Sequence, residues 1–387
     1  MGKRRVDKKS AAYKKYRRRK ILFIVEVIML FLVCGVAFAY IQLDKELNKI
    51  EIKELDTEKV IINKTAETDA ALKGYMNIAL FGVDENKTNT DTIIIASINN
   101  DTKEVRLVSI YRDTYLNIGE DRYSKANAAY PNGGMEWAIS MLNTNLDLDI
   151  QQYVMVDFSA LTDIIDELGG IEITVTEDEA VHLNNYCVSV SKVAEKDYEP
   201  LPGEGTYLMD GVQATSYCRI RYTAGNDFKR TLRQREVIAK IVDKAKKSDI
   251  STLTRIMDHV FPKISTNISK SEILSMGMSM LSYKIGATSG FPFWHRTWSD
   301  GSDEEVPVTL EKNVDELHTF LFDNEEYTPS ADVLERSNYI IERTGFTEDT
   351  ASSSENYQSN GDELTTEDKQ KLESETGSDA EDGGDSE

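Results

Sequence analysis

Three neighbouring stretches, MNIALFGV (Met76–Val83), TIIIASIN (Thr92–Asn99) and EVRLVSIY (Glu104–Tyr111), set the architecture of this chain. Each has strand length, and the first two run almost continuously apolar, as strands covered on both faces do. The turn dipeptide Asn100-Asp101 separates the second from the third, so the three read as a central strand followed by a hairpin. Downstream, Gly134–Leu146 is helix-like and YVMVDF (Tyr153–Phe158) is a further strand. Ser159 is then expected to cap an amphipathic helix carrying Leu161, Ile164, Ile165 and Leu168, which Gly169-Gly170 ends. IEITV (Ile171–Val175) is again a strand. Strands alternating with helices indicate an α/β layer fold.

Further along, residues 177–206 are polar and read as an irregular loop or insertion, and SYCRIRY (Ser216–Tyr222) as a short strand. A long helix is expected from Asn226 to about Lys247, with Val237, Ile238, Ile241, Val242 and Ala245 as its apolar stripe. Two more helical segments lie near 251–260 and 269–283, and 286–346 reads as an extension ending in an amphipathic helix. From Thr347 onward Ser, Glu, Asp and Gly dominate, which predicts a disordered acidic tail over 347–387.

The 387 residues carry a formal charge of −22, unevenly spread. Residues 1–20 carry +10 and the tail from Glu348 carries −12, so the body from 41 to 347 is at −19. Such a body is a poor general binder of nucleic acid, whose phosphates demand a basic face. Between the basic and acidic zones, Ile21–Tyr40 reads ILFIVEVIMLFLVCGVAFAY, with Glu26 its lone ionisable residue. Twenty residues at helical rise span about 30 Å, a bilayer's hydrocarbon thickness. We expect a transmembrane helix at 21–41 with a cytoplasmic segment before it, a stalk at 42–73, and the remainder outside the cytoplasm.

Several chemistries lose weight at once. The four histidines (His182, His259, His295, His318) are scattered without HExxH spacing, and no CxxC, GxSxG, Walker or GxGxxG pattern occurs. Outside the expected anchor only Cys187 and Cys218 remain, free either to pair or to stay as small apolar residues.

One basic run stands out inside the acidic body: RIRYTAGNDFKRTLRQR, Arg219 to Arg235, with Asp227 its single acid. Arg219 and Arg221 are two apart and would share one face of a strand; Arg230 and Gln234 are four apart and share one face of a helix. Asp227 stands near that helix's start. Guanidinium groups meeting a helix beginning suit phosphate or pyrophosphate. Upstream, Asp84 and Asp91 flank the loop Glu85–Thr90 at two strand ends, a pair able to hold Mg²⁺. Arg112 closes the third strand near the same edge, and Lys125 in SKANAAY is a further cation.

In this order FGVD (Phe81–Asp84), NTDTI (Asn89–Ile93), SIYRDTY (Ser109–Tyr115), SKANAAY (Ser124–Tyr130), YVMVDF, LGGIEITV and the basic run resemble the LytR–CpsA–Psr family of membrane-anchored bacterial cell-wall proteins. The resemblance covers roughly Met76 to Ser282. It implies a three-layer α/β/α domain, drawn here as 74–285, with a mixed central sheet and a deep apolar groove for a polyprenyl chain. It also implies a phosphotransferase that moves an anionic glycopolymer (teichoic acid, capsule or another secondary wall polymer) from a polyprenyl-pyrophosphate carrier to peptidoglycan. Carried over by motif, Asp84 and Asp91 match carboxylates near Mg²⁺ (or Mn²⁺), Arg112 the arginine of a PRD motif and Lys125 the lysine of a KINAAY motif. Arg219, Arg221, Asp227, Arg230 and Gln234 match the R-x-R…D-F-x-R…R-Q signature. Asp91 and Asp227 are both possible bases for the acceptor hydroxyl. Three positions depart from the pattern: Tyr111 where Pro is usual, Ala126 where Ile is usual, and Asn89 where an Arg usually stands. A hydrolase on the same site, and a non-catalytic wall-polymer-binding or regulatory module, are the alternative readings.

Overall fold

The computed structural model describes residues 44–83, 88–221, 226–298 and 303–347, without the side chains of Asn226 and Asp227. The residues before Ile50 belong to a unit of their own, and everything from Ile50 onward forms a second compact unit that carries the sheet and the site. The expected span at 21–41 and the tail from 348 lie outside the described residues, among which no helix is long and apolar enough to cross a membrane.

A seven-stranded mixed sheet organises the domain. In chain order its strands are β1 (Glu51–Ile52), β2 (Tyr75–Val83), β3 (Thr90–Asn99), β4 (Glu104–Ile110), β7 (Gln152–Asp157), β10 (Ile264–Thr266) and β11 (Lys284–Phe291). Their spatial order is β1-β10-β7-β2-β3-β4-β11. β3 runs antiparallel to both β2 and β4, whereas β7 pairs parallel with β2 and β11 parallel with β4. Two small hairpins, β5 (Tyr115–Gly119) with β6 (Arg122–Lys125) and β12 (His295–Trp298) with β13 (Glu304–Pro307), stand beside it. A third, β8 (Ile171–Val175) with β9 (Gly205–Met209), belongs to a separate helical layer.

Alternation along the central strands explains why their sequences are continuously apolar. Phe81, Val83, Ile93, Ile95, Val108 and Ile110 enter one core with Ala66 of the short α1 (Lys64–Thr68), α2 (Ala129–Leu146), α9 (Leu310–Phe322) and α10 (Ala331–Thr344). Ile78, Ile94, Ala96, Ile98, Val105 and Leu107 enter another on the opposite face, packed by Ile238 of α6 (Asn226–Ala245) and by Ile273 and Met276 of α8 (Lys270–Met278). Side chains of period two thus fill two helical layers from one sheet.

A third core joins α3 (Phe158–Glu167), α4 (Glu177–Ala194) and α5 (Gly211–Tyr217) to β8 and β9. α7 (Ile250–Val260) is tied to the end of α3 by Arg255 on Glu167 at 2.8 Å. Val237 and Ile241 of α6 enter the third core while Ile238 faces the sheet, so α6 is wedged between the two.

Several expectations need correction. Residues 177–194 are helix, not loop: Thr176 and Glu179 form a reciprocal capping box, and Ala180, Leu183, Cys187 and Val190 make a sparse but helical stripe. Residues 211–217 are also helix, opened by a capping box between Asp210 and Gln213, so the expected strand is not formed over its described residues, Ser216 to Arg221. Asp157, not Ser159, caps α3, accepting from the Ala160 N–H at 2.9 Å. From Ile50 onward, the segments set apart as stalk and extension pack with the domain: Ala66 and Leu72 enter the first core, β1 joins one sheet edge, and β11 forms the other. Gly169 and Gly170 do end α3, with φ of +74° and +82°.

Cys187 and Cys218 are free and buried, and burial pushes their thiols up to about 11 and about 12. Native protein at pH 8 should therefore leave both unmodified by iodoacetamide, with modification appearing on denaturation, as peptide mass mapping will report. Ile94→Ala, in the sheet's middle, should cost about 2–5 kcal/mol in urea unfolding, whereas Ile250→Ala at an 83% exposed position should change stability by less than about 0.5 kcal/mol.

Candidate active site

The hairpin register assembles the site. Ile93 faces Ile110 across β3 and β4, and two residues further along that register Asp91 stands opposite Arg112. The pair closes as an ion pair, Arg112 Nη1 to Asp91 Oδ1 at 2.8 Å. Arg112 Nε also donates to Asp113 Oδ2 at 3.3 Å, and Lys125 Nζ meets Asp113 Oδ1 at 3.3 Å. The backbone holds this corner too: the Asn127 N–H donates to the Arg112 carbonyl at 3.0 Å.

From the other side, the segment after α5 and the start of α6 bring more guanidinium groups. Arg221 Nη2 lies 3.8 Å from Asp91 Oδ1, and Arg230 Nη2 donates to the Asp91 carbonyl at 3.3 Å. Arg219 sits over the rings of Phe158 (5.2 Å) and Tyr186 (5.7 Å), held by cation–π attraction. Gln234 Nε2 donates to the Cys218 carbonyl at 3.4 Å, while its Oε1 is buried without a hydrogen-bond partner among the described residues. Asp91, Phe158, Tyr186, Cys218, Arg219, Arg221, Arg230 and Gln234 together line a cavity of about 150 Å³. Three guanidinium groups against one carboxylate make it an anion site.

Arg219 and Arg221 therefore share one face, as expected, though not by belonging to a strand. They flank the fully buried Ile220 in the turn that follows α5. Lys125 does not line the cavity; it stands behind Arg112 on Asp113. Asp84 lies outside the described residues, and Asp227 opens α6 with its side chain undescribed. Sequence reasoning does not reach Phe158 and Tyr186 as site residues. Phe158 directly follows the strand YVMVD, but Tyr186 sits on α4, whose polar sequence reads as loop and conceals it.

Two departures from the family pattern acquire an environment. Tyr111 is buried, edge-on to Phe228 (4.6 Å) and near His295 (6.2 Å), and a Cβ on Gly290 would come within 2.0 Å of its hydroxyl. An aromatic stack fills this corner beside Arg112, and it admits only glycine at position 290. Asn89 is exposed and donates to Thr88 Oγ1 at 3.3 Å, adding no charge to the site.

The family model described as LytR_cpsA_psr matches residues 37–293. The chain belongs to the LytR–CpsA–Psr family. It is 26% identical over 285 residues to the polyisoprenyl-teichoic acid–peptidoglycan teichoic acid transferase TagT of Bacillus subtilis, covering 70% of this chain and 85% of that protein. Over 268 residues it is 30% identical to TagU of Bacillus licheniformis, of the same description, covering 66% and 79%. A solved structure of TagT bound to LIIa-WTA superposes with a TM-score of 0.54 at 22% identity, covering 71% of this chain and 100% of that one. The fold is thus the family's mixed α/β fold with a central mixed sheet.

One arginine of the signature does not line the cavity. Arg233 is 3% exposed and turns away from the cavity, its Nε and Nη2 on Glu179 Oε1 (3.0 and 2.9 Å) and Nη1 on the Ile220 carbonyl (3.1 Å). It pins the arginine-bearing turn to α4. Arg233→Met should cost about 3 kcal/mol in unfolding, because it removes the buried guanidinium's ion pair with Glu179 and its bond to the Ile220 carbonyl. Arg219→Ala should stay within about 1 kcal/mol of wild type yet weaken pyrophosphate binding, a contrast that paired denaturation and titration will measure.

Proposed function

We propose that this protein transfers an anionic glycopolymer from a polyprenyl-pyrophosphate carrier to peptidoglycan, forming a phosphodiester. The observation that carries the reading is the arginine cavity beside the Asp91–Arg112 pair, in a chain whose relatives are named teichoic acid transferases. An acceptor hydroxyl oxygen attacks the phosphorus bearing the glycan, the bond to the bridging oxygen breaks, and prenyl phosphate leaves. Arg112, Arg219, Arg221 and Arg230 would neutralise the charge that builds on the transferred phosphate and the leaving group. Gln234 would orient a phosphate oxygen or its bound water. Lys125, through Asp113, would hold Arg112 in place from behind. The hydroxyl proton would pass to Asp91 or Asp227; Asp91 is the one that lines the cavity.

A divalent cation would draw on two carboxylates, one of them in the cavity wall. Asp91 offers hard carboxylate oxygens at the cavity wall, and Asp84 directly follows Val83, which pairs with Thr90 next to Asp91. Asp84 and Asp91 would hold Mg²⁺ or Mn²⁺, which when bound neutralises pyrophosphate charge and orients its oxygens.

The polyprenyl chain would lie on the sheet face under α6 and α8, where Leu80, Val154, Ile238, Ile273 and Met276 are apolar yet only partly buried. The apolar run at 21–40 would anchor the chain in the cell membrane as a single pass, N-terminus cytoplasmic and catalytic domain outside.

Full-length protein in detergent with Mg²⁺, a synthetic polyprenyl-pyrophosphoryl glycan and peptidoglycan fragments should yield, by mass spectrometry, a sugar joined to the glycan through a phosphodiester. Arg112→Ala should lower that rate by about 10²–10³ with the circular dichroism spectrum unchanged. Prenyl phosphate released without joined product would make the protein a hydrolase. Lipid binding without turnover of matched donor and acceptor would make it a binding module.

A further inference from the structure

A second, larger cavity of about 380 Å³ opens in the layer that carries α2. Tyr153 and Met155 of β7 form its floor, Tyr130 and Met135 a wall, and Lys53, Glu54 and Glu136 its charged rim, with Thr88 at the edge. None of these residues belongs to the arginine cavity. Building on the transferase reading above, we propose that this cavity is the acceptor site. It seats an N-acetylated amino-sugar unit of the peptidoglycan glycan and presents that unit's hydroxyl to the Asp91–Arg112 pair.

Position is the first argument. Thr88 lines this cavity, and Asp91, three residues on, lines the other. Asn127 bonds to the Arg112 carbonyl, and Tyr130 follows it by three residues, so the chain segments that carry Asp91 and hold Arg112 also reach this second cavity. In-line displacement at phosphorus sets the entering and leaving oxygens on opposite sides. The leaving phosphate gathers charge and belongs with Arg219, Arg221 and Arg230. The entering hydroxyl is neutral and belongs with the cavity that lacks them.

Charge and shape choose the occupant. Glu54 and Glu136 outnumber Lys53, so the rim repels an anionic polymer or a free pyrophosphate while its carboxylates accept sugar hydroxyls. Glu136 Oε1 already takes the Asp56 N–H at 3.4 Å, which fixes that carboxylate in place and leaves it acceptor capacity. Tyr153 is 1% exposed, its hydroxyl bonded to the Lys53 carbonyl at 3.3 Å, so the floor is rigid. Tyr130 offers an aromatic wall to a pyranose ring, and Met135, Met155 and Leu55 an apolar patch for an acetyl methyl. The volume falls within the range of small-molecule sites.

The test uses full-length protein in detergent with the lipid-linked donor and a peptidoglycan tetrasaccharide as the titrated acceptor. Thr88→Trp fills the mouth from an exposed position, and Tyr130→Ala removes the wall. Each should raise the acceptor KM about tenfold or more, leaving the donor KM unchanged. Saturation-transfer NMR with tetrasaccharide alone should show binding in wild type and Arg219→Ala, and none in Thr88→Trp. An unchanged acceptor KM in both variants, or a rise in the donor KM instead, would overturn the proposal. Should wild type transfer nothing, the transferase reading fails, and the NMR comparison still decides the pocket: binding abolished by Thr88→Trp supports it, and binding indifferent to that change refutes it.

Discussion

The site depends on one register. Because β3 and β4 form a tight hairpin whose Ile93 faces Ile110, Asp91 has to meet Arg112 where the two strands run out. A slip of one residue would exchange the two faces of the sheet and bury the wrong half of each strand. Both faces are apolar here, so the register is enforced by packing into two distinct cores: Ile93, Ile95, Val108 and Ile110 on one side, Ile94, Ala96, Val105 and Leu107 on the other. This corner inherits its precision from that packing, not from its own polar contacts.

Around this pair the protein gathers cations that would otherwise repel one another. Each has a separate support. Arg219 lies on the rings of Phe158 and Tyr186, Arg230 bonds to the Asp91 carbonyl, and the whole turn is tied down by Arg233 on Glu179 and the Ile220 carbonyl. α6 makes this possible, since its wedge between two cores fixes where its first turns, with Arg230 and Gln234, can point. In a body with charge −19, a cavity with three guanidinium groups concentrates positive potential where a pyrophosphate would bind.

Much of this is legible in the sequence where local pattern and tertiary role coincide. The continuous apolar runs mark β2, β3 and β4, the stripe of α6 is visible, and Arg219, Arg221, Arg230 and Gln234 emerge from spacing and motif. Reading fails where burial is indirect. The helix at 177–194 packs mainly through Ala, Leu, Cys and Val at wide spacing, too thin a signal beside so many polar residues, although its Thr176–Glu179 capping box is readable. The Arg-Ile-Arg alternation mimics a strand because Ile220 is buried in a turn. Nor can sequence assign β11 to its partner β4, which lies far upstream, since a parallel edge pairing leaves no local trace.

A double-mutant cycle on the Asp91–Arg112 pair tests the central claim most directly. Affinity for a polyprenyl pyrophosphate would be measured on full-length protein in chelator, for wild type, Asp91→Ala, Arg112→Ala and the double variant. If the hairpin register couples these two residues into one phosphate-binding unit, the cost of Arg112→Ala will differ more than about threefold according to whether the Asp91 carboxylate is present or removed. Costs that simply add would contradict the account, because the two side chains would then act independently.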